Sequence, residues 1–365
     1  MNAVLEREAA QQETQEIDMQ KLEELMGRAI VDYSGALQSS LIVLGDRLGL
    51  YKALAEAGPQ TSDQLAARTG LAERYVREWL NANAASHYVE YLPRSGRYRM
   101  SMEQAAAFAM EDSPAFLVGL FQTAMAAVKI TDRLEEAFKS GEGIGWNEHD
   151  HSLFHGIERA FRSGYIANLV QSWLPALDGV VAKLEKGARV ADVGCGHGAS
   201  TILMAQAFPN STFFGYDYHQ GSIDVARQRA QAAGVSANVH FEVGSAQDYM
   251  GGDYDLVAVF DALHDMGDPM GAAAHIRSTL KPDGTFMIVE PNAADNVEDN
   301  IHPVGRAFYA ASTLMCTPCA LKQGRVALGA QAGEARLRSV VMSGGFKSFR
   351  VAARSPINMV LEAKP

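Results

Sequence analysis

Ala188-Arg-Val-Ala-Asp-Val-Gly-Cys-Gly-His-Gly-Ala-Ser200 decides the fold, because an apolar strand runs through Asp192 directly into three glycines at alternate positions. Glycine is needed where a backbone leaves a strand, turns tightly and lets a ligand lie against bare peptide. The helix that opens with Ser200 turns its free N–H groups toward the same space. The stretch therefore predicts a cofactor loop, although its glycines, with Ala199 as the last small residue, also fit a dinucleotide fingerprint.

Repeated βα units follow this loop. The apolar runs predict strands over residues 212–217, 238–243, 254–260 and 284–290, with helices at about residues 199–208, 220–233 and 269–280. After Glu290 the pattern predicts a helix near residues 331–343 and then strands over residues 346–352 and 357–363. The alternation is typical of a parallel sheet covered on both faces, and the short final link requires an antiparallel pair. We expect an α/β fold whose parallel sheet ends in a C-terminal antiparallel hairpin.

The N-terminal third predicts a separate helical module. Residues 61–70 read as a capped helix that ends at a glycine, and residues 71–84 read as a second helix. Two short strands, residues 89–91 and 98–101, flank the turn Pro93-Arg-Ser-Gly96. Helix, turn, helix and hairpin together predict a winged helix.

A parallel sheet finished by such a hairpin resembles the class I S-adenosylmethionine (SAM)-dependent methyltransferases, and not the dehydrogenases. Asp192-Val-Gly-Cys-Gly-His-Gly198 resembles the first motif of that family, and Asp217 is placed like the acid that takes both ribose hydroxyls. Ser245 stands where the family usually has an acid that reaches adenine, so we expect backbone contacts there, aided by Asp248. The resemblance implies SAM as cofactor, S-adenosylhomocysteine as product, and the following cofactor contacts: Asp192, Gly194, Gly196, Gly198, Asp217, Tyr218, Ser245, Ala246, Asp261, Arg162 and Tyr165.

The segment Phe260-Asp-Ala-Leu-His-Asp-Met-Gly-Asp-Pro269 is similar to the Leu-His-Asp signature of small-molecule O-methyltransferases, in which the histidine is the general base. The ordinary pKa of histidine suits His264 to that task. We expect Asp265 or Glu290 to orient its ring. The alternative interpretation is that His264 only caps the strand and bonds to backbone.

The acceptor pocket is predicted from two other segments. Trp146, His149, His151 and His155 precede the sheet, and the histidines could line the pocket, bind a metal or lie at the surface; we expect no metal. Phe308 and Tyr309 belong to an insertion, residues 292–329, that we expect to cap the pocket. Arg162 could meet the SAM carboxylate and Tyr165 its methyl group, or both could pack between domains. Cys316-Thr-Pro-Cys319 has redox spacing, but a packed pair of thiols is favoured because it lies far from a first βαβ unit.

Composition limits the function classes. With 365 residues, a net charge of −11 and 47% hydrophobic residues, the chain can bury two cores. No signal peptide or membrane span is evident and the three cysteines cannot form a disulfide framework, so we expect a cytoplasmic protein that does not bind membranes. The expected parts are a flexible acidic N-terminus (residues 1–20), a winged-helix dimerisation domain (21–110), a helical connector (111–170) and a SAM-binding methyltransferase domain (171–365).

The winged helix leaves two interpretations of function. Residues 61–100 carry six Lys/Arg against four Asp/Glu, a weak footprint for phosphate binding, so we expect no nucleic-acid partner. Apolar side chains crowd residues 29–55, which predicts a homodimer interface. The main hypothesis is a methyltransferase that acts on a small molecule, through O or alternatively through S or N. The other hypothesis is a SAM-binding or DNA-binding regulator without turnover.

Overall fold

A computed structural model describes residues 17–365, and most of the expected acidic segment, residues 1–16, lies outside them. The first helix begins at Met19, inside the segment that we expected to be flexible. The N-terminal elements are α1 (Met19–Arg47), α2 (Leu50–Ala57), α3 (Ser62–Thr69), α4 (Glu73–Ala85), β1 (Glu90–Leu92), β2 (Arg97–Arg99) and α5 (Met102–Phe108). The predicted winged helix is confirmed, because α3 and α4 are followed by the antiparallel hairpin β1–β2.

Local sequence explains the beginning of these helices. Thr61 and Ser101 each accept a hydrogen bond from the backbone three residues on, and the glutamine at that position bonds back to the cap. This reciprocal capping box satisfies two free N–H groups at each helix start. The winged helix then packs around Tyr51, Leu54, Leu65 and other buried side chains of one apolar core.

A helical connector precedes the sheet. It comprises α6 (Val118–Ala127), α7 (Thr131–Ser140), α8 (His151–Asn168) and α9 (Val180–Lys186), with short 3₁₀ turns between them and a π-helical turn, Leu169–Trp173, after α8. Arg159 of α8 joins the connector to the winged-helix domain: its guanidinium is 2.8 Å from Asp46 of α1 and 2.9 Å from Glu111. Because Arg159 is almost fully buried, its positive charge depends on these two carboxylates for compensation.

Seven strands form one sheet in the order β5-β4-β3-β6-β7-β9-β8. Its elements are β3 (Arg189–Val193), α10 (Ala199–Ala207), β4 (Thr212–Asp217), α11 (Gln220–Ala232), β5 (Val239–Val243), β6 (Tyr254–Phe260), α12 (Pro269–Thr279), β7 (Leu280–Pro291), α13 (Pro303–Ala311), α14 (Thr317–Gln323), α15 (Gly333–Ser343), β8 (Ser348–Arg354) and β9 (Asn358–Lys364). The first five strands are parallel, and β9 runs antiparallel to both β7 and β8. The predicted fold is therefore confirmed.

Element boundaries agree with the sequence-based expectation to within about two residues, except at the start of β7. Strand β7 begins at Leu280 and not at residue 284, because Leu280 pairs with Tyr254 before a bulge shifts the register to Leu256–Thr285. Helix α10 begins at Ala199, as predicted. The difference lies at the amino end of β7, away from the carboxyl ends of the strands, where open α/β sheets bind their ligands.

The sheet separates two apolar cores. Along β6, Leu256 and Ala258 contact one core, whereas Val257 and Val259 contact the other. This alternation follows from the two-residue period of a strand, and both faces are apolar because helices cover both. Within residues 17–365, no helix has the length and apolar character needed to cross a membrane.

Candidate active site

The glycine loop leaves β3 at the carboxyl edge of the sheet. Gly194 (φ 78°) and Gly198 (φ 79°) have left-handed backbones, and a Cβ atom on Gly198 would lie 2.5 Å from the Phe241 ring. Beside them, Gly196 (φ 52°) has open space where its side chain would be. Glycine is therefore required at Gly198 by backbone and packing together, while the loop near Gly196 leaves room for a ligand.

Asp217 at the end of β4 holds this loop. Its two carboxylate oxygens accept hydrogen bonds from the backbone N–H groups of Gly196 (3.0 Å) and His219 (2.9 Å). Burial raises the pKa of Asp217, and these two hydrogen bonds oppose that rise. The carboxylate thus fixes the distance between the ends of β3 and β4.

Two further carboxyl groups at this edge keep an oxygen without a partner. Asp192 accepts hydrogen bonds from Ser200 Oγ and Thr201 Oγ1, both 2.6 Å away, through one oxygen, and its other oxygen is buried and unpaired. Burial raises the pKa of Asp192 to about 6. Asp261 accepts from Asn358 Nδ2 (2.9 Å), and its second oxygen is likewise buried and unpaired. Buried acceptors without donors are costly in a protein alone, which makes these oxygens candidate ligand contacts.

His264 lies in a 3₁₀ turn, Leu263–Asp265, directly after β6. Glu290 at the end of β7 faces it: Oε2 is 2.5 Å from Nδ1, and Oε1 accepts the backbone N–H groups of Leu263 (3.0 Å) and His264 (3.3 Å). Both side chains are buried. Burial alone would lower the pKa of His264, but the Glu290 carboxylate, together with Cys316, outweighs it and holds that pKa well above its ordinary value.

The other ring nitrogen of His264 faces Cys316. Ligand atoms of His264, Asp265 and Cys316 all lie within 4.8 Å of one another. Burial raises the pKa of Asp265 to about 7 and also raises the pKa of the Cys316 thiol. Of the two carboxylates that we expected beside His264, Glu290 orients the ring through Nδ1. Asp265 lies with Cys316 near His264 and does not bond Nδ1.

Several expected cofactor contacts engage other parts of the protein. Arg162 forms an ion pair with Asp112 at 2.7 Å. Tyr165 packs against Trp173 and Phe260, and burial together with the charges of Asp261 and Asp192 raises its pKa. The phenol of Tyr218, which we expected to face adenine, contacts the backbone of Trp146.

In the loop after β5, the expected contact Asp248 is engaged by its own turn. Its carboxylate accepts the backbone N–H (3.0 Å) and the hydroxyl (2.6 Å) of Ser245. Ala246 packs at the edge of an apolar core. These hydrogen bonds hold the shape of the turn. Its other backbone N–H and C=O groups are therefore the candidate contacts for adenine.

The three histidines of the connector do not converge. His149 is buried with Nε2 3.6 Å from Cys319 Sγ, His151 is exposed at the start of α8, and His155 is exposed one turn further along that helix. Burial lowers the pKa values of His149 and His155. Within residues 17–365, the His/Cys/Asp/Glu group close enough to hold a metal ion is His264, Asp265 and Cys316, and it contains none of these three.

The insertion packs over the strand ends, as its sequence position suggested. Its π-helical turn Ser312–Cys316 and helix α14 reach the turn that carries His264, and Gly329 N donates to His264 O (3.2 Å). Phe308 joins an apolar cluster with Trp146 and Leu153. Tyr309 lines a crevice of 380 Å³ together with Asp295 and Gly329.

Sequence reasoning missed two contacts that close this region. Phe154 stacks on His219 with centroids 4.9 Å apart, so that α8 lies against the end of β4. Cys316 contacts His264, the candidate general base, whereas the Cys-x-x-Cys spacing indicated only a pair of packed thiols. The histidine-rich spacing around Phe154 was visible in the sequence, but nothing there indicated its partner.

Comparison with known proteins identifies both domains. Residues 184–331 match a family model described as "Methyltransferase domain", and residues 36–110 match one described as "Rv2258c-like winged HTH domain". A ubiquinone biosynthesis O-methyltransferase of Dinoroseobacter shibae is 28% identical over 102 residues, which cover 28% of this chain and 40% of that protein. A trans-aconitate 2-methyltransferase of Variovorax paradoxus is 32% identical over 129 residues, covering 35% and 46%. The chain spans about half or less of the length of the curated relatives it matches.

Solved structures resemble the whole described fold at low identity. Human N-acetylserotonin methyltransferase in complex with SAM has a TM-score of 0.69 at 20% identity, with 93% of this chain and 97% of that chain covered. A putative O-methyltransferase from Nostoc punctiforme has a TM-score of 0.68 at 21% identity, with 94% and 98% covered. The arrangement of a winged-helix domain before a methyltransferase sheet is thus shared along nearly the full length of these chains.

Proposed function

We propose that this chain, which carries a methyltransferase domain and a winged-helix domain, transfers the methyl group of SAM to a small-molecule acceptor, first of all to oxygen, with sulfur or nitrogen as alternatives. The observation that carries the proposal is a buried His264–Glu290 pair next to the glycine loop at one edge of the sheet. The match of residues 184–331 to a methyltransferase domain supports it.

The residues at the strand ends fit SAM. SAM supplies an electrophilic methyl group on a sulfonium, and its amino group is a donor that suits the unpaired oxygens of Asp192 and Asp261. The open space at Gly196 suits a ligand against bare backbone. We assign the ribose hydroxyls to Asp217 and adenine to backbone of the Ser245–Ala246 turn. Arg162 and Tyr165 on α8 remain candidate contacts for the methionine end of SAM, which requires that Arg162 leave its ion pair with Asp112.

His264 is the proposed general base. Glu290 bonds Nδ1, so Nε2 is the atom that takes a proton from the acceptor. The protein's other task is to hold the acceptor in line with the methyl group, since correct placement alone removes much of the barrier. The apolar cluster around Leu153, Phe308 and Met315 favours an acceptor with an apolar or aromatic body.

The decisive experiment is release of S-adenosylhomocysteine by the purified chain across phenols, thiols, carboxylates and amines. Calorimetry of SAM binding tests the cofactor site separately. Asp217→Ala removes charge-assisted hydrogen bonds worth roughly 1.5–3 kcal/mol in all, and SAM affinity should fall by about one to two orders of magnitude. Asp224→Ala, an exposed carboxylate on α11, is the matched control and should bind SAM as the wild type does. Binding of NADH in place of SAM would overturn the proposal.

The charges of the winged helix count against a DNA-binding regulator. On α4, Arg74 pairs with Glu78 and Arg77 with Glu73, and on the hairpin Arg99 pairs with Glu90. Arginines neutralised by neighbouring acids have little charge to offer a phosphate backbone. We assign this domain, residues 21–110, to dimerisation, and salt-sensitive binding to a DNA sequence in a shift assay would reverse that assignment.

A further inference from the structure

We propose that His264, Asp265 and Cys316 form a binding site for a soft divalent cation such as Zn²⁺, and that an ion there occupies the nitrogen which the transfer reaction needs. The three side chains each offer one ligand atom, and these atoms lie within 4.8 Å of one another. Two of the ligands are neighbours in a turn after β6, and the third comes from the insertion that packs onto this turn.

The donor set suits zinc. Zn²⁺ prefers thiolate, imidazole and carboxylate ligands at about 2.0–2.3 Å, which places ligand atoms in a tetrahedral site about 3–4 Å apart. The observed ligand atoms, all within 4.8 Å of one another, lie near this spacing. Three protein ligands leave one position open for water or an acceptor atom, as in catalytic zinc sites.

Glu290 already provides the outer support that such a site needs. Metal-bound histidines usually donate their second ring N–H to a carboxylate, which fixes the ring and its tautomer. Here Nδ1 of His264 faces Glu290 at 2.5 Å, so Nε2 is left to the ion. All three ligand residues are largely buried, with 8% or less of their surface exposed.

Charge balance also favours the ion. A Cys316 thiolate and an Asp265 carboxylate would be two uncompensated buried charges, whereas Zn²⁺ neutralises both. Binding therefore displaces the proton of the Cys316 thiol, the Nε2 proton of His264 where the imidazole is charged, and the proton of Asp265 where it is protonated, and these protons go to solvent. No electron transfer is involved.

Cys319, the second thiol of the Cys-x-x-Cys motif, is not part of this ligand set, so its substitution is a matched control. Cys319 Sγ lies 3.6 Å from His149 Nε2, directed to another partner. Cys319→Ser should therefore preserve the metal site, whereas Cys316→Ser should lose it. The two variants are matched, because each replaces a buried free thiol and the two cysteines lie three residues apart.

The test is zinc stoichiometry and affinity of the chelator-treated full chain, measured by competition with a chromophoric chelator without SAM or acceptor. We expect the wild type and Cys319→Ser to bind one equivalent of zinc tightly. Cys316→Ser and Asp265→Asn should bind zinc at least tenfold more weakly, since loss of even an outer-shell partner lowers metal affinity roughly 10–100-fold. Cobalt substitution should give a thiolate charge-transfer band that is absent in Cys316→Ser. Circular dichroism verifies that each variant folds.

Equal zinc affinity in Cys316→Ser and the wild type, or loss of the ion in Cys319→Ser, would overturn the site. The functional consequence depends on the proposed base: zinc should inhibit transfer to a hydroxyl acceptor, chelation should restore it, and Cys316→Ser should tolerate at least tenfold more zinc. Because the stoichiometry is measured without SAM, its failure would leave the proposed transfer reaction untouched, and failure of that reaction would leave the metal site untouched.

Discussion

The Nδ1 atom of His264 lies 2.5 Å from Oε2 of Glu290, and the other oxygen of the same carboxylate accepts the backbone N–H groups at the end of β6. One buried side chain therefore fixes the position, the tautomer and the charge of the imidazole. In this environment the carboxylate raises the pKa of His264 against the opposing effect of burial. The rate of a reaction that uses His264 as a base should accordingly depend on pH above the ordinary histidine range.

Glu290→Gln tests this relationship. In the wild type, turnover with a hydroxyl acceptor should rise with pH as His264 loses its proton at a raised pKa. Glutamine keeps the shape of the side chain but removes the charge, so burial dominates, the pKa of His264 falls, and the rising limb of the kcat–pH profile moves to lower pH. A pH–rate series over both variants measures the shift. An unmoved rising limb would separate Glu290 from the titration of the base.

His264→Ala should lower turnover with a hydroxyl acceptor by roughly 10²–10⁴, the contribution of a positioned general base. Binding of SAM should change little, because the cofactor contacts lie on other side chains. The control is His240→Ala, an exposed histidine on β5. Single-turnover rates and calorimetry on both variants separate chemistry from binding; full activity of His264→Ala on a hydroxyl would remove this residue from the mechanism.

Asp265→Asn should increase stability at pH 8 but not at pH 4. Burial raises the pKa of Asp265 from 3.8 to about 7, so the folded state favours the protonated form. Its contribution to stability is present below about pH 4 and is lost as pH rises toward 7. In chelator-containing buffer, the Tm should rise at pH 8 by at least about 2 °C, the shift that about 1 kcal/mol produces in a domain of this size. Asp224→Asn, an exposed carboxylate, should show no such pH dependence.

Gly198→Ala should destabilise the chain more than Gly234→Ala. Both glycines have left-handed backbones, with φ values of 79° and 72°, where an alanine costs roughly 1–2 kcal/mol. At Gly198 the new Cβ atom would also meet the Phe241 ring, whereas nothing lies within 4 Å at Gly234. Overpacking adds roughly 1–3 kcal/mol. Urea unfolding of the two variants measures the difference, and equal losses would assign the whole cost to the backbone.

Dimerisation should depend on the exposed apolar side of α1. Ile30 and Val31 are 65% and 67% exposed, and Leu25, Met26 and Leu37 are more than half exposed. An apolar surface of this kind normally marks an interface. Light scattering at micromolar concentration should give about twice the chain mass for the wild type.

Ile30→Glu should shift the scattering mass toward the monomer. Tyr75→Glu changes a residue that is 81% exposed on α4, away from this surface, and should keep the dimer. A wild-type monomer in the same measurement would contradict the interface.

The fold was predictable because its signals are local. Strands β4 and β6 have the predicted bounds, since their apolar runs are bounded by turn residues. The role of Gly198 in a tight turn could be predicted from the sequence, because a left-handed backbone excludes most side chains. The start of β7 was wrong by four residues, because pairing of Leu280 with Tyr254 depends on the neighbouring strand and has no signature in the segment itself.

The candidate site was predictable only in part. A motif marks the strand end that carries His264, and the topology of a parallel sheet brings Asp217 and Glu290 to the same edge. Which of Asp265 and Glu290 holds the ring depends on side-chain direction, and the tertiary structure chose Glu290. Tyr309 lines a crevice with Asp295 and Gly329, and its place in the acceptor pocket stays a prediction.

The sequence by itself determined the order of elements, the glycine loop and the strand ends, because backbone sterics and hydrophobic period act over a few residues. Only the tertiary structure decided which distant groups meet. Cys319 contacts His149 from 170 residues away, and Cys316 reaches His264 because the insertion folds back over the sheet. Such contacts depend on the packing of whole elements, which leaves no pattern in either segment alone.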